Sequence, residues 1–518
     1  MLIMEHFDRA ARRFPDRPFV VSADGDLTHR EMAAHVDAIA NAIARQGLGA
    51  GTNIAVLTPN HPLGMACNYA ILKAGCVWVP CNHRNPIRDT VVQVTAQDVR
   101  WLFYHSSLEE HAVAIQKSVP ALRGMTPIDR ATVSGVGLLE WTRGFAPGAP
   151  LPERGMDDAA AIISSGGTTG VPKGAVHTNR SYGANMANYW AAFDFMSAPP
   201  VHLVVAPLTH AAGVMHMAMM GTGATHVLSP SADPEMLLEL VQRHRVTLMF
   251  LPPTIIYMLL AHPRLKQYDC SSLRHFLFGA APMSVEKLRE AIEHFGPILC
   301  HLYGSTETLV MNTILPPEEM ADVLVTPAHA RRIASCGREG PFSRVEIIDE
   351  DGTVLPPNER GEIAVRGEFL MAGYYKEPEK TAASRSNGWH RMGDIGLKDE
   401  DGYIYIVDRK GDMIITGGFN VFPGEVEQAV LANPAVQDCV VVGIPHEKWG
   451  EAILAAVEVK AGCHLDTEEL IAQCKAQLGS VKAPKFVQVV EQLPRSPVGK
   501  TLRRAVRAPY WEGRSTII

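Results

Sequence analysis

Residues 164–177 read "SSGGTTGVPKGAVH" and follow an apolar run at 159–163. Ser165, Gly166, Gly167, Thr168, Thr169, Gly170 and Lys173 offer backbone N–H groups freed by glycine, several hydroxyls and one ammonium, a donor set suited to phosphate oxygens. A P-loop reading fails on spacing, because that loop sets Lys and Ser/Thr directly after its last glycine, whereas Val171 and Pro172 separate Gly170 from Lys173. By itself the run fits a surface turn as well as an anion cradle. Lys500, in "SPVGKTLRR", also imitates the end of a P-loop, yet Pro494 stands where the first glycine belongs. Glu307, in "YGSTET", is a carboxylate that together with phosphate oxygens would suit a hard ion such as Mg2+, although a glutamate at a helix start is also ordinary. Asp394, in "MGD", could pair with two hydroxyls, and equally could sit in a turn.

Such groups need elements to hold them. "THREMAAHVDAIANAIARQG" has the marks of a helix: Thr28 and Glu31 make a capping box, Met32, Val36, Ile39 and Ile43 keep helical spacing, and Gly47 ends it. Strand "NIAVLT", helix "LGMACNYAILKAG" and strand "CVWVPC" then form a βαβ unit, which predicts a mostly parallel sheet covered on both faces. The pattern returns as strand "VTLMFL", a helix from Thr254, strand "HFLFGA", helix "SVEKLREAIEHF" and strand "ILCHLY". "GAAP" and "YGSTET" therefore fall at strand C-termini, where doubly wound sheets bind ligands. From about residue 335 short alternating strands with tight turns predict a β-rich subdomain. Beyond "GYIYIVDRKGD" an α/β alternation with helices "PGEVEQAVLA" and "TEELIAQCKAQL" reads as a small separate domain. The stretch from 105 to 157 carries little pattern.

A chain of 518 residues exceeds the size of about 250–300 at which single cores stop growing, so at least two domains are expected. Lys and Arg number 48 against 55 Asp and Glu, a net charge of −7 that weighs against a nucleic-acid partner. Nine scattered cysteines without a CxxC pair suggest neither a disulfide framework nor a zinc site, and fit a reducing cytoplasm. Glu5 and Asp8 interrupt any signal-peptide core, and Pro252 and Pro253 break the longest apolar stretch, so neither export signal nor transmembrane segment is expected.

"SSGGTTGVPKGA", "PLTHAAG", "GAAPMS", "YGSTET", "GEIAVRGEFLMAGYYKEPEKT", "GWHRMGD", "VDRKGDMIITGGFNVFPGEVE" and "PRSPVGKTLRR" occur in the order found in adenylate-forming enzymes, and the chain resembles an acyl-CoA synthetase of that superfamily. The resemblance implies a large α/β N-terminal domain of doubly wound sheets over 1–408, with a β-barrel-like subdomain at about 335–408. A hinge at 409–412 and a mobile α+β C-terminal domain over 413–518 would follow. It implies that a carboxylic acid attacks the α-phosphate of ATP, releasing pyrophosphate, and that the acyl group then passes to coenzyme A. By resemblance the 165–173 loop wraps the β- and γ-phosphates, Glu307 binds Mg2+, and Thr306 touches the α-phosphate. Gly279, Ala280, Ala281, Tyr303 and Gly304 surround adenine, while Asp394 takes the ribose hydroxyls with Arg409 beside it. Lys500 serves adenylation, and His210 lies beside the acid. Gly417 and Gly418, in the "GGFN" loop that runs to Asn420, would meet the thiol tunnel after rotation, with Trp449, Lys482 and Lys485 as coenzyme A contacts. This chain departs from the family pattern at Gly166 (commonly serine), Met392 (commonly threonine) and Gly411 (commonly Asp or Lys at the hinge).

An amino-acid adenylating domain would carry an "FDxS"-like segment where "PLTHAAG" stands, and a luciferase-like oxygenase shares the motifs. A non-catalytic nucleotide binder would be expected to lack Lys500 or Glu307. Met215, Met217, Met219 and Met220 favour an apolar acid, fatty or aryl, but could equally be core. Monomer and homodimer are both compatible with these residues.

Overall fold

The computed structural model describes residues 1–144, 152–165, 173–209, 211–281, 283–409, 412–495 and 501–512. Local chemistry sets the first helix pair. The Thr28 side chain accepts from the Glu31 N–H at 3.2 Å while Glu31 Oε2 accepts from the Thr28 N–H at 2.7 Å, and the helix His29–Arg45 follows with Met32, Val36, Ile39 and Ile43 on its buried stripe. Burying each such side chain stabilises the fold by about 1.5–3 kcal/mol. The helix Pro62–Lys73, apolar nearly all round, packs against it.

These helices lie between two sheets. One has seven strands in the order Gly373–Tyr374, Lys173–Thr178, Ala159–Ser165, Val77–Cys81, Asn53–Leu57, Trp101–Tyr104 and Gly124–Pro127; all neighbours are parallel from Ala159–Ser165 onward. The other has nine, with a parallel core running Leu299–Tyr303, His275–Phe278, Leu248–Leu251, Val201–Val204, Thr225–Leu228 and Pro18–Val21. Period-two alternation fills both faces: Ile54 and Val56 join the cluster between the sheets, whereas Ala55 and Leu57 join the one on the far side. The proline-broken apolar stretch is the strand Leu248–Leu251 followed by the helix Pro253–Leu260. No helix among the described residues is long and apolar enough to cross a membrane.

A third sheet draws its five strands from Arg344–Ile348 to Ile404–Arg409 and pairs antiparallel throughout. Its last strand is also bonded through Ile404 to Cys336 and Gly337. A fourth sheet lies wholly within 414–490 and carries the helices Pro423–Leu431 and Thr467–Lys482. The expected helix end at Leu478 is passed: Gly479 takes φ 79° and ψ 168°, and a further turn follows, because "SVK" resumes helical geometry after a single glycine break. The weakly patterned stretch after residue 105 contains the helix Glu109–Ser118, the edge strand Gly124–Pro127 and the short helix Leu138–Trp141.

Four histidines are buried near the junction of these layers. His202 and His226 face each other across adjacent strands with Nδ1 atoms 3.3 Å apart, His216 Nδ1 is 2.8 Å from the Tyr69 hydroxyl, and His29 Nε2 is 3.1 Å from the Ala224 carbonyl. Burial pushes His29 down to about 4 and His202 to about 3, and holds His216 and His226 well below their ordinary value; neighbouring histidines, and Arg17 beside His29, add to this. Because the unfolded chain binds protons at these sites from about pH 6.5 while the folded chain does not, stability is full above that pH and falls as pH drops below it. At pH 5 His29 and His202 each cost about 2 kcal/mol, and His216 and His226 act in the same direction. Thermal unfolding followed from pH 7 to 5 is expected to show a steep fall in midpoint, and His226→Asn to flatten that slope by about one proton; a flat profile in the parent would contradict the assignment.

Candidate functional site

The strands Leu299–Tyr303 and His275–Phe278 are hydrogen-bonded neighbours, so the segments that follow them, Gly279 with Ala280 and Ala281, and Gly304 to Glu307, emerge side by side. Backbone crowding explains the glycine at 304, where a Cβ would lie 2.2 Å from the Val310 carbonyl oxygen. Strain gathers at this edge: Ala280, Leu309 and Val310 have φ of 67°, 51° and 80°. Positive φ costs a non-glycine residue about 1–3 kcal/mol, and such residues persist where surrounding structure holds them, commonly at ligand sites.

The short 3-10 turn Thr306–Thr308 packs against the hairpin formed by Ala159–Ser165 and Lys173–Thr178. His177 Nε2 lies 2.9 Å from the Thr306 carbonyl, and burial lowers its imidazole to about 4, so it is neutral and donates to that carbonyl. Glu307 is held from two further directions. Its carbonyl accepts from the Met371 N–H at 2.9 Å, and the Tyr374 hydroxyl donates to its Oε1 at 2.9 Å. Burial pushes the Glu307 carboxyl up, but its own backbone N–H, then the Ser305 hydroxyl and the Tyr374 phenol, together outweigh burial and hold it below its usual range. Lys173 Nζ sits 5.0 Å above the Tyr374 ring. One tyrosine thus touches both the end of the donor-rich loop and the candidate metal acid.

Tyr374 reaches this place because the strand Gly373–Tyr374 joins the seven-stranded sheet, pairing with Val176 and Ala175. Sequence reasoning missed it. "GYYKE" holds two adjacent tyrosines, and only the pairing shows that Tyr374 faces Glu307, whereas the Tyr375 hydroxyl donates to Asp98 at 2.9 Å. A single ionised carboxylate with a fixed orientation fits a hard divalent ion that takes its remaining ligands from phosphate and water.

Across the site, Asp394 and Arg409 are opposite partners in the third sheet, with Arg409 Nε 3.4 Å from Asp394 Oδ1. The Tyr303 hydroxyl donates to Asp394 Oδ2 at 2.7 Å, and burial, then that carboxylate, raises the phenol well above its ordinary value. Three expected residues from distant segments are therefore in direct contact. Met392, the departure from threonine, has its sulfur 3.6 Å from Asn312 Nδ2, and the Asn312 N–H donates to the Tyr303 carbonyl at 2.8 Å.

In the fourth sheet the Gly417 N–H donates to the Trp449 carbonyl at 2.8 Å, and Gly417, Gly418 and Phe419 are exposed. The Trp449 ring stacks on His446 with centroids 4.2 Å apart, and Lys485 Nζ lies 5.6 Å over it. Lys482 turns elsewhere and pairs with Glu425. Gly166, Gly167, Thr168, Thr169, Gly170, His210, Gly411 and Lys500 lie outside the described residues, as does the Ser165 side chain.

Residues 7–375 match the family model described as AMP-binding enzyme, and residues 425–500 match that of the AMP-binding enzyme C-terminal domain. The chain is 34% identical to the medium/long-chain-fatty-acid–CoA ligase FadD8 of Mycobacterium tuberculosis, over 97% of this chain and 89% of that one. It is also 34% identical to a feruloyl-CoA synthase of an Amycolatopsis species, over 97% and 98% of the two chains. Among solved structures it resembles the amide bond synthetase McbA of Marinactinospora thermotolerans, with a TM-score of 0.89 and 29% identity over 98% of this chain and 100% of that one. ATP-bound MatB of Rhodopseudomonas palustris gives a TM-score of 0.87 at 28% identity, over 98% and 99%.

Proposed function

Because the chain belongs to the AMP-binding enzymes, we propose that it divides its reaction between a fixed large domain, 1–408, and a small domain, 413–518, that turns about 409–412. The reaction is that of an AMP-forming acyl-CoA synthetase, an acid–thiol ligase that uses ATP and CoA on a fatty or aryl acid. In the first half a carboxylate oxygen attacks the α-phosphorus and pyrophosphate leaves. In the second the CoA sulfur attacks the acyl carbonyl and AMP leaves.

The reading of the site is carried by one observation: Tyr374 joins Lys173 to Glu307 at the mouth of the donor-rich hairpin. Lys173 and the 165–170 loop hold the β- and γ-phosphates, and Thr306 the α-phosphate. Glu307 holds Mg2+, which when bound neutralises phosphate charge. Tyr303 and residues 279–281 flank adenine. Asp394, kept in place by the Tyr303 hydroxyl and Arg409, accepts from the ribose hydroxyls. Lys500 stabilises the negative charge that builds on the carboxylate and α-phosphate during adenylation. His210 borders the acid, and Gly417, Gly418, Trp449 and Lys485 border CoA after the turn. Met215 and Met219 pack with Tyr189, Phe193, Phe250 and Leu302 as buried core, so the apolar character of the acid is supported by the relatives rather than by these methionines. The nine free cysteines support a reducing, cytoplasmic setting.

Pyrophosphate release over a panel of fatty, hydroxycinnamic and benzoic acids, with and without CoA, tests this function. Thioester with one apolar class is expected; adenylate that transfers only to an added amine would overturn it. Tyr374→Phe keeps a ring beneath Lys173 but loses a hydrogen bond to an ionised carboxylate, worth about 1.5–3 kcal/mol. A roughly 10- to 100-fold higher Mg2+ requirement for pyrophosphate release is expected. An unchanged Mg2+ titration would remove Tyr374 from the site.

A further inference from the structure

Arg503 opens the helix Arg503–Trp511, three residues beyond Lys500. Its guanidinium is surrounded by carboxylates from three separate segments. Nη1 lies 2.7 Å from Asp412 Oδ2 and 3.6 Å from Asp408 Oδ1, and Nη2 lies 2.6 Å from Glu427 Oε1. Asp408 belongs to the strand Ile404–Arg409 of the third sheet, and Glu427 to the helix Pro423–Leu431 of the small domain. Asp412 is the last residue of the 409–412 link between them.

The carboxylates are themselves fixed. Asp408 Oδ2 accepts from the Gly424 N–H at 2.7 Å and Oδ1 from the Arg409 N–H at 2.7 Å, while Glu427 Oε1 also accepts from the Val441 N–H at 2.8 Å. Burial pushes the Asp408 and Glu427 carboxyls up against the pull of Arg503, so these acids depend on its charge. A planar fork with five donors can serve Asp412 and Glu427 at once; an ammonium cannot hold the same geometry.

The residues on either side of 496–500 are also tied to each other. Arg495 and Thr501 form an antiparallel bridge, the Leu502 N–H donates to the Pro494 carbonyl at 2.7 Å, and Arg495 Nη1 donates to Thr501 Oγ1 at 3.1 Å. Arg495 Nη2 pairs with Asp438 at 2.7 Å and Glu458 at 3.1 Å, both in the fourth sheet. Those contacts tie the segment to its own domain. Arg503 adds what they lack, a contact to Asp408 on the far side of the link.

We propose that Arg503 is a positioning residue for the adenylation half-reaction: by clasping Asp408, Asp412 and Glu427 it sets the base of the Lys500 segment against the interdomain link. The proposal rests on the reading of Lys500 as the adenylation lysine. Misplacement of a reacting group by about 1 Å can cost roughly 100-fold in rate. Arg503 should therefore matter to the half-reaction that needs the lysine and little to the other.

The test compares Arg503→Lys, Asp408→Asn, their double variant and Lys500→Ala in the full chain. Two readouts are taken: pyrophosphate release with an accepted acid, and thioester formation from supplied acyl-adenylate and CoA. Arg503→Lys is expected to lower kcat of the first by about 10- to 100-fold with KM for ATP little changed, and to leave the second nearly intact. Asp408→Asn still accepts from the Gly424 N–H but withdraws the charge across the link, so it should give the same split in smaller measure. The double variant should lose less than the product of the two. Equal loss in both halves, or fully multiplicative effects, would overturn the proposal. If Arg503→Lys does not fold, Asp408→Asn carries the same split by itself, and its absence there counts against the proposal. Lys500→Ala separates the two readings: retained pyrophosphate release sinks the lysine's role, whereas its loss beside an evenly damaged Arg503→Lys sinks only the role of Arg503.

Discussion

Lys500→Ala is expected to slow acyl-adenylate formation by about 10²- to 10³-fold while still converting supplied acyl-adenylate to thioester. The size follows from losing one preorganised donor at a site of developing charge. The asymmetry follows from the chemistry: in the first half two anions approach each other and an amine between them lowers the barrier, whereas in the second a thiol meets a mixed anhydride already formed. The contacts that frame the segment, Arg495 with Thr501 and Leu502 with Pro494, do not involve this side chain. Single-turnover measurement of each half from the same preparation checks the prediction, and comparable damage to both halves would contradict it.

Glu307→Gln carries the second large effect. The swap keeps shape and an oxygen that can accept from Tyr374, but removes the negative charge. Metal-assisted charge stabilisation is worth several kcal/mol, so pyrophosphate release at ordinary Mg2+ should fall by roughly 10²- to 10³-fold. Raised Mg2+ should recover part of the loss, which separates this variant from Lys500→Ala, where added Mg2+ should recover nothing. Thioester formation from supplied acyl-adenylate should be spared, because that substrate no longer carries the β- and γ-phosphate charge that a cation held by Glu307 would neutralise. A variant equally slow in both halves would mean that Glu307 holds the fold of the Thr306–Thr308 turn rather than a metal. The Met371 N–H to Glu307 carbonyl bond is a backbone contact and survives the substitution, which argues against that outcome.

Much of the architecture was legible in local pattern. Thr28 with Glu31 started a helix where it was expected, the βαβ unit at 53–81 paired in parallel, and the tandem "GAAP" and "YGSTET" segments fell at neighbouring strand ends. Each depends on short-range rules: capping needs a spacing of three residues, and a strand between two helical layers must be apolar on both faces. Less legible were the helix that passes Gly479 and the elements after residue 105, because polar surface turns and short edge elements leave weak periodicity.

Ordered motifs alone determined the candidate residues: Lys500, Glu307, Asp394, Arg409 and the 165–173 loop were identified from identity and order. Tertiary structure alone decided their partners. Which of Tyr374 and Tyr375 meets Glu307 depends on strand register, since a one-residue slip turns every side chain to the opposite face. The meeting of Tyr303, Asp394 and Arg409, and of Arg503 with Asp408, Asp412 and Glu427, joins segments tens of residues apart. Side-chain spacing along a chain encodes the period of one element; it carries no record of which distant element closes over it, and that is settled only when burial and hydrogen bonding fix every layer at once.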